Sequence, residues 1–190
     1  LSHGAPTLAL TKTPASDFLR SLAARLPKPK AILVVSAHWE VARPTIGLGL
    51  ETIHDFYGFP QALYDMRYPA PAARDVAERL LTLLQTSGAT LDPVRGRDHG
   101  VWVPLLLAWP HADVPVVQLS LIGGGAPQAH YDIGRALAPL RDEGVLIVGS
   151  GSATHNLRAR PTPQPAEWAT GFVAWLDATL DARDDDILLD

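Results

Sequence analysis

Short, continuously apolar runs that alternate with amphipathic segments predict an α/β fold: a mostly parallel central sheet with helices on both faces. Three observations predict it. Ala31-Ile32-Leu33-Val34-Val35 is apolar throughout, as are residues 145–148 and most of VPVVQLSL (114–121), and such runs mark strands covered on both sides. The stretches between them carry apolar residues at helical spacing, with start and stop signals. Three histidines, His3, His38 and His155, each follow such a run after a few small or polar residues, which places them at the carboxyl edge of the sheet.

The elements follow in order. Leu1 reads as the last residue of a strand. A helix starts near Pro14, with Thr13 as cap and Phe18, Leu22 and Leu26 on its inner face. Residues 31–35 form the first complete strand, and 45–50 a weaker one. A helix over 71–87 turns Val76, Leu80 and Leu83 inward and stops at Gly88. Residues 90–94 suit a short edge strand, because Pro93 has no amide to donate. A helix follows His99 through Leu107, and residues 114–121 form the next strand. The helix over 126–141 buries Ile133, Leu137 and Leu140, with Pro139 kinking or ending its last turn. After the 145–148 strand, a helix over 165–180 turns Trp168, Phe172 and Trp175 or Leu176 inward. No repeat or linker divides the chain, so residues 1–190 are expected to form one α/β domain. Its ends look cut: there is no initiator methionine, and the apolar run 187–189 stops at Asp190 without a closing signal.

Composition narrows the function. The 190 residues are 47% hydrophobic, ordinary for a globular domain, and 19% charged, slightly low. Sixteen basic against twenty acidic residues, a net charge of −4, give no support to a nucleic-acid partner. No stretch approaches the roughly 20 apolar residues of a membrane span, and no secretory signal is visible, so no membrane partner and a cytoplasmic location are expected. The absence of cysteine excludes disulfides, thiolate zinc sites and thiol nucleophiles.

Imidazole is the commonest protein ligand of transition metals, so histidines converging on one sheet edge point to a metal site. His99 opens a helix after Arg97-Asp98 and can join that edge. A single strand-end histidine is more often a hydrogen-bonded structural residue; convergence of several carries the inference. His54, His111 and His130, in loop or helical contexts, read as structural. Other motifs are weaker. Gly123-Gly124-Gly125 lacks the lysine and spacing of a phosphate loop and reads as a turn into a helix. Gly149-Ser150-Gly151-Ser152 resembles a hydrolase nucleophile elbow only superficially, since Pro161, Pro163 and Pro165 crowd the helix that should follow. The segment HDFYGFP (54–60) is either a loop packed on its own rings or the wall of an apolar pocket for a planar substrate.

Ser2-His3-Gly4-Ala5-Pro6, Ser36-Ala37-His38-Trp39, HDFYGFP with Tyr68-Pro69-Ala70-Pro71, Asp98-His99-Gly100-x-Trp102 and His155-Asn156-Leu157-Arg158 occur in this order. Together they resemble the extradiol aromatic ring-opening dioxygenases of the protocatechuate 4,5-dioxygenase catalytic-subunit type, and within it the 4,5-DOPA dioxygenase branch. The resemblance implies a non-haem metal bound through His3 and His38, with a third ligand from a later segment that this sequence does not contain. It makes His155 the acid/base beside the metal or, with zinc, an additional ligand, and His99 a second histidine near the substrate hydroxyls. The implied activity is Fe(II)-dependent cleavage of a catechol-type ring with O2 to a muconate semialdehyde, Zn(II) being the metal some members carry. A histidine suits the proton transfer, because its unperturbed pKa of about 6.5 lies near neutral pH. Arg158 is either a cation for an acidic substrate side chain or half of a surface ion pair. Two other classes remain: a zinc hydrolase on the same histidines, and a metal-free interaction protein of the same fold. The oligomeric state has no signature here.

Overall fold

The computed structural model describes residues 1–156, 158 and 164–189. Pro161 and Pro163, invoked above against a nucleophile elbow, and Leu157 of the last motif lie outside them. Two compact units divide the chain, Leu1–Gly151 and Ser152–Asp190.

The first unit is built on β1 (Ala31–Ser36), β3 (Thr45–Gly47), β4 (Thr90–Asp92), β5 (Val116–Leu119) and β7 (Val145–Ser150), in the order β4-β3-β5-β1-β7 among the described residues. β1 pairs parallel with β5 and β7, β3 pairs parallel with β4, and the β3–β5 junction is antiparallel. The short strands β2 (Glu40–Val41) and β6 (Leu121–Ile122) form a separate parallel pair. The mostly parallel sheet predicted from the apolar runs is therefore present, with residues 90–92 at its edge as Pro93 required.

Alternation along β1 explains why its sequence is apolar without a break. Ile32 and Val34 face one cluster with Val116, Val148, Leu19, Val101, Trp102 and Leu105. Ala31 and Leu33 face the other, with Val117, Val145, Val76, Leu80 and Ile133. The first layer is supplied by α1 (Pro14–Arg25) and α4 (His99–Ala108). The second comes from α3 (Arg74–Leu83), α5 (Pro127–Ala136) and α6 (Pro139–Asp142), while α2 (Gln61–Tyr64) is a single turn after the aromatic segment. Leu137 and Leu140 are buried as expected, and Pro139 ends one helix and begins the next.

α1 starts where expected. Thr13 Oγ1 accepts from the Ser16 amide at 3.1 Å while the Thr13 amide donates to Ser16 Oγ at 2.8 Å, a capping box worth about 1 kcal/mol. Its inner face differs from the expected one. Leu19 is buried, with Leu22 and Ala23 packed beside it, whereas Phe18 and Leu26 are exposed. Phe18 instead lies under the Arg25 guanidinium, 5.7 Å from the ring centroid. α4 has no polar face: apart from half-buried Leu106, every residue from His99 to Ala108 is buried, as a helix apolar all round must be.

Two segments outside the sheet bring loops together. Residues 51–53 run beside 97, with the Arg97 amide donating to Glu51 O and the Ile53 amide to Arg97 O, both at 2.7 Å. The crossing is so close that a Cβ on Gly49 would sit 2.4 Å from the carbonyl oxygens of Val94 and Arg95. Gln118 Nε2 holds the same turn by donating to Arg95 O and Gly96 O. Arg97 is buried and donates to Tyr68 O and Pro71 O, and Tyr68 donates its hydroxyl to Trp109 O. Burial pushes the Arg97 guanidinium down to about 10 and the Tyr68 phenol up to about 12, so at neutral pH one stays charged and the other neutral.

The second unit contains α7 (Glu167–Ala182) and α8 (Asp185–Leu189). Trp168, Phe172 and Trp175 are exposed rather than inward, Leu176 is half-buried, and Thr179 is the buried residue of α7. No described helix is long and apolar enough to cross a membrane.

Gly49→Ala should destabilise the fold, because the new methyl meets backbone that cannot step aside. The expected loss is about 1–3 kcal/mol in denaturant unfolding, and an unchanged midpoint would refute the close crossing.

Candidate metal centre

His3, His38 and His99 converge at the carboxyl ends of β1 and β7, and their ligand nitrogens all lie within 4.8 Å of one another. Each arrives by a different route. Ser2 forms a parallel bridge with Gly151, just beyond β7, so His3 follows at the sheet edge; this realises the strand end read at Leu1. His38 sits in the turn after β1, and His99 is the first residue of α4. Ring centroids are 4.9 Å apart for His3 and His38, 4.0 Å for His38 and His99, and 5.1 Å for His3 and His99. His3 and His99 are buried; His38 is exposed.

Buried hydrogen bonds fix this geometry. The Asp98 carboxylate, fully buried, accepts from Ser36 Oγ at 2.7 Å and from Arg95 Nη2 at 3.1 Å. Ser36 Oγ in turn accepts from the His38 amide at 3.2 Å, which ties the turn after β1 to the start of α4. Gly100 makes the approach possible: a Cβ there would lie 2.4 Å from Ser36 Oγ and 3.1 Å from His38 Cδ2. Arg95 also covers the Trp39 ring at 5.3 Å, anchoring the residue next to His38.

Each ring has its own outer partner. His3 Nδ1 is 2.9 Å from Ser150 Oγ. Asp55 takes the His99 amide on Oδ1 and His99 Nδ1 on Oδ2, both at 2.9 Å, and the same Oδ2 is 3.7 Å from His38 Nδ1. Burial pushes the Asp55 carboxyl up, but its bonds to the His99 ring and amide and the nearby imidazole charge outweigh this and hold it below the ordinary carboxylate value. His3 Nε2 and His38 Nε2 stand 2.9 Å apart. Two imidazole nitrogens at ~2.1 Å from one cation and at right angles to each other would be separated by about 3 Å, so this pair already has the spacing of neighbouring ligands. A donor set of neutral imidazoles suits Fe(II) or Zn(II).

The segment 54–60 is a loop packed on its own and neighbouring rings, the first of the two readings offered for it. Phe56 packs on Phe59, Tyr64 and Trp102 with centroids 5.2, 5.3 and 6.2 Å away, and its ring is also 5.9 Å from His99. The loop is thus packed on its own rings and lies beside the histidines, while Tyr57 at its tip is exposed. The remaining expectations resolve simply. His54 Nε2 meets Met66 O, His130 Nε2 accepts from the Ile122 amide, and His111 is exposed. Gly123–125 forms the turn into α5, with Gly124 at a φ of +68°. Ser150 lies within β7, not on a sharp turn, and spends its proton on Gly100 O at 2.5 Å, so it is no activated nucleophile. His155, exposed, and Arg158, exposed with its amide donating to Asn156 Oδ1, belong to the second unit.

Asp55, Ser150, Ser36 and Asp98 received no role from the sequence. Ser36, Asp55 and Asp98 each carried a signal, a place inside one of the histidine motifs quoted above; Ser150 was weighed only as a nucleophile.

Comparison with known proteins agrees with this geometry. The family profile described as the catalytic LigB subunit of aromatic ring-opening dioxygenase matches residues 1–185. A 4,5-DOPA dioxygenase extradiol of Beta vulgaris is 46% identical over 190 residues, covering 95% of this chain and 71% of that protein. Its namesake in Escherichia coli K12 is 44% identical over 187 residues, covering 95% and 69%. A solved structure of an uncharacterized Escherichia coli K12 protein superposes with a TM-score of 0.77 at 38% identity, covering 89% of this chain and 66% of that one. The histidine cluster at the sheet edge, the aromatic segment beside it and a profile match along nearly the whole chain lead to one assignment: the chain belongs to the family of the catalytic LigB subunit of aromatic ring-opening dioxygenase, enzymes of extradiol ring cleavage.

Proposed function

We propose that the protein cleaves a catechol-type ring beside its diol with O2, and that Fe(II) held by His3 and His38 supports the reaction. The observation that carries this reading is the 2.9 Å separation of the two imidazole nitrogens, beside a third imidazole and an aromatic wall. Bound there, Fe(II) would supply positive charge for the two catechol oxygens and a redox route between ring and O2. The chain's own residues do the rest. His3 and His38 hold one face of the site and leave the opposite face to substrate. Phe56 and the rings packed on it give a planar ring an apolar surface to lie against and keep water from that side. His99, backed by the Asp55 carboxylate, stands close enough to the same point to accept a substrate hydroxyl proton. His155 is the acid/base that returns a proton as the ring opens, or with Zn(II) a further ligand. The carbon–carbon bond next to the diol breaks, both oxygen atoms of O2 enter the product, and a muconate semialdehyde results.

The substrate class follows from the relatives' names: a catechol bearing an amino-acid side chain, as in DOPA, is the first compound to try. Protein loaded anaerobically with Fe(II) and then mixed with air and a catechol panel should consume one O2 per ring and develop a yellow absorbance. Iron uptake without oxygen consumption by any catechol would overturn the reading, and turnover of an ester or amide by the Zn(II) form would replace it with a hydrolase.

His155→Ala separates the two roles of that residue. As an acid/base, its loss should lower kcat by about 10²-fold or more with metal affinity unchanged. A parallel fall in metal affinity would make it a ligand.

A further inference from the structure

We propose that Ser150 and Asp55 are positioning residues that hold His3 and His99 in the Nδ1–H tautomer, leaving the lone pair of each ring on Nε2. The proposal rests on the reading of the histidine cluster as a metal centre. It adds that the protons of His3 and His99 are set before any metal arrives, while His38, hydrogen-bonded to His3 through the two Nε2 atoms, gives up its Nε2 proton when it binds.

The His3 tautomer is set from the middle of α4. Pro104 has no amide hydrogen, so the Gly100 carbonyl four residues earlier lacks the helical donor it would otherwise receive. That carbonyl takes the Ser150 hydroxyl proton at 2.5 Å. A serine hydroxyl has a single proton, so toward His3 Nδ1, 2.9 Å away, Ser150 Oγ can only accept. The proton of a neutral His3 therefore sits on Nδ1, and its Nε2 accepts from His38 Nε2 at 2.9 Å.

The His99 tautomer is set by a carboxylate. An ionised carboxylate only accepts. Asp55 Oδ1 is engaged by the His99 amide at the first turn of α4, where a negative group is also favoured by the helix dipole. Oδ2 then requires the proton on His99 Nδ1. His38 Nδ1 lies 3.7 Å from the same oxygen, so one carboxylate serves two rings. Carboxylates and other acceptors behind metal-binding histidines commonly set tautomer and orientation in this way.

The test reads tautomers directly in metal-free protein. Near pH 8, above the ordinary imidazole pKa of about 6.5, long-range ¹⁵N–¹H correlation distinguishes Nδ1–H from Nε2–H. Single His→Gln variants assign the signals. The parent should show Nδ1–H for His3 and His99. In Asp55→Asn one amide oxygen must face two donors, so the amide nitrogen turns to the ring and His99 should move to Nε2–H. Ser150→Ala removes the His3 acceptor but also orphans the Gly100 carbonyl. Ser150→Ala/Pro104→Ala therefore gives that carbonyl a helical amide again, which should recover stability without restoring the His3 tautomer. The double variant, which changes the ring of the ligand His3, should bind Zn(II) about 10- to 100-fold more weakly than the parent. An Nε2–H signal from His3 or His99 in the parent would overturn the proposal, as would parent-like tautomers in the variants. A parent that takes up no metal while showing the expected tautomers would sink the metal centre and leave the positioning roles intact.

Discussion

The docking of the first turn of α4 against the ends of β1 and β7 is the contact on which the rest of the site depends. It brings Asp98, His99 and Gly100 to Ser36, His38 and Ser150 in one step. The approach is closer than any side chain at position 100 would allow. Glycine there is a steric requirement of the site and not a need for unusual backbone angles, since its φ is not positive. The apolar body of α4, buried on every side, holds that turn in place, so core packing and site geometry are consequences of one helix.

This edge of the sheet concentrates buried polar groups, and nearly all of them are paired. Asp98 meets Ser36 and Arg95, Ser150 meets Gly100 and His3, and Arg97 meets two carbonyls. Burying such groups unpaired would cost several kcal/mol in sum, whereas pairing them returns each a modest gain and a single permitted geometry. The return is rigidity: rings attached to three different chain segments are held to one arrangement before a ligand binds. Arg97 shows the same logic further out. Its charge fixes the carbonyls of Tyr68 and Pro71, and these secure the segment leading from the aromatic wall into the second core layer.

The aromatic segment ties a packed ring cluster to the histidine cluster. Phe56 contributes to the wall, and Asp55, the residue before it, reaches the His99 ring. A displacement of this loop would therefore disturb both the packing of Phe56 on His99 and the Asp55–His99 contact. The tight crossing of residues 49–53 over 94–97 is what keeps the loop in register with the helix.

The architecture and part of the site were legible in the sequence because their signals are local. Residues 31–35 of β1 are apolar without a break because both faces of the strand are covered, and Thr13-Pro14 announces a helix start. His3, His38 and His155 stood out because each follows an apolar run and imidazole is chemically suited to metals; His99 was read as able to join them, and the structure groups it with His3 and His38. The inner face of α1 was misread at Phe18 and Leu26, and that of α7 at Trp168, Phe172 and Trp175, because periodicity shows which residues share a face but not whether anything covers it. The partners of the histidines were hidden for a different reason. Asp55 lies 44 residues from His99, Asp98 62 from Ser36 and Ser150 147 from His3. An aspartate or serine carries no mark of the distant group it will meet. The sequence by itself determined the layers and the type of chemistry; the tertiary structure alone decided which protons, carboxylates and rings face one another, because those contacts exist only once distant segments are packed.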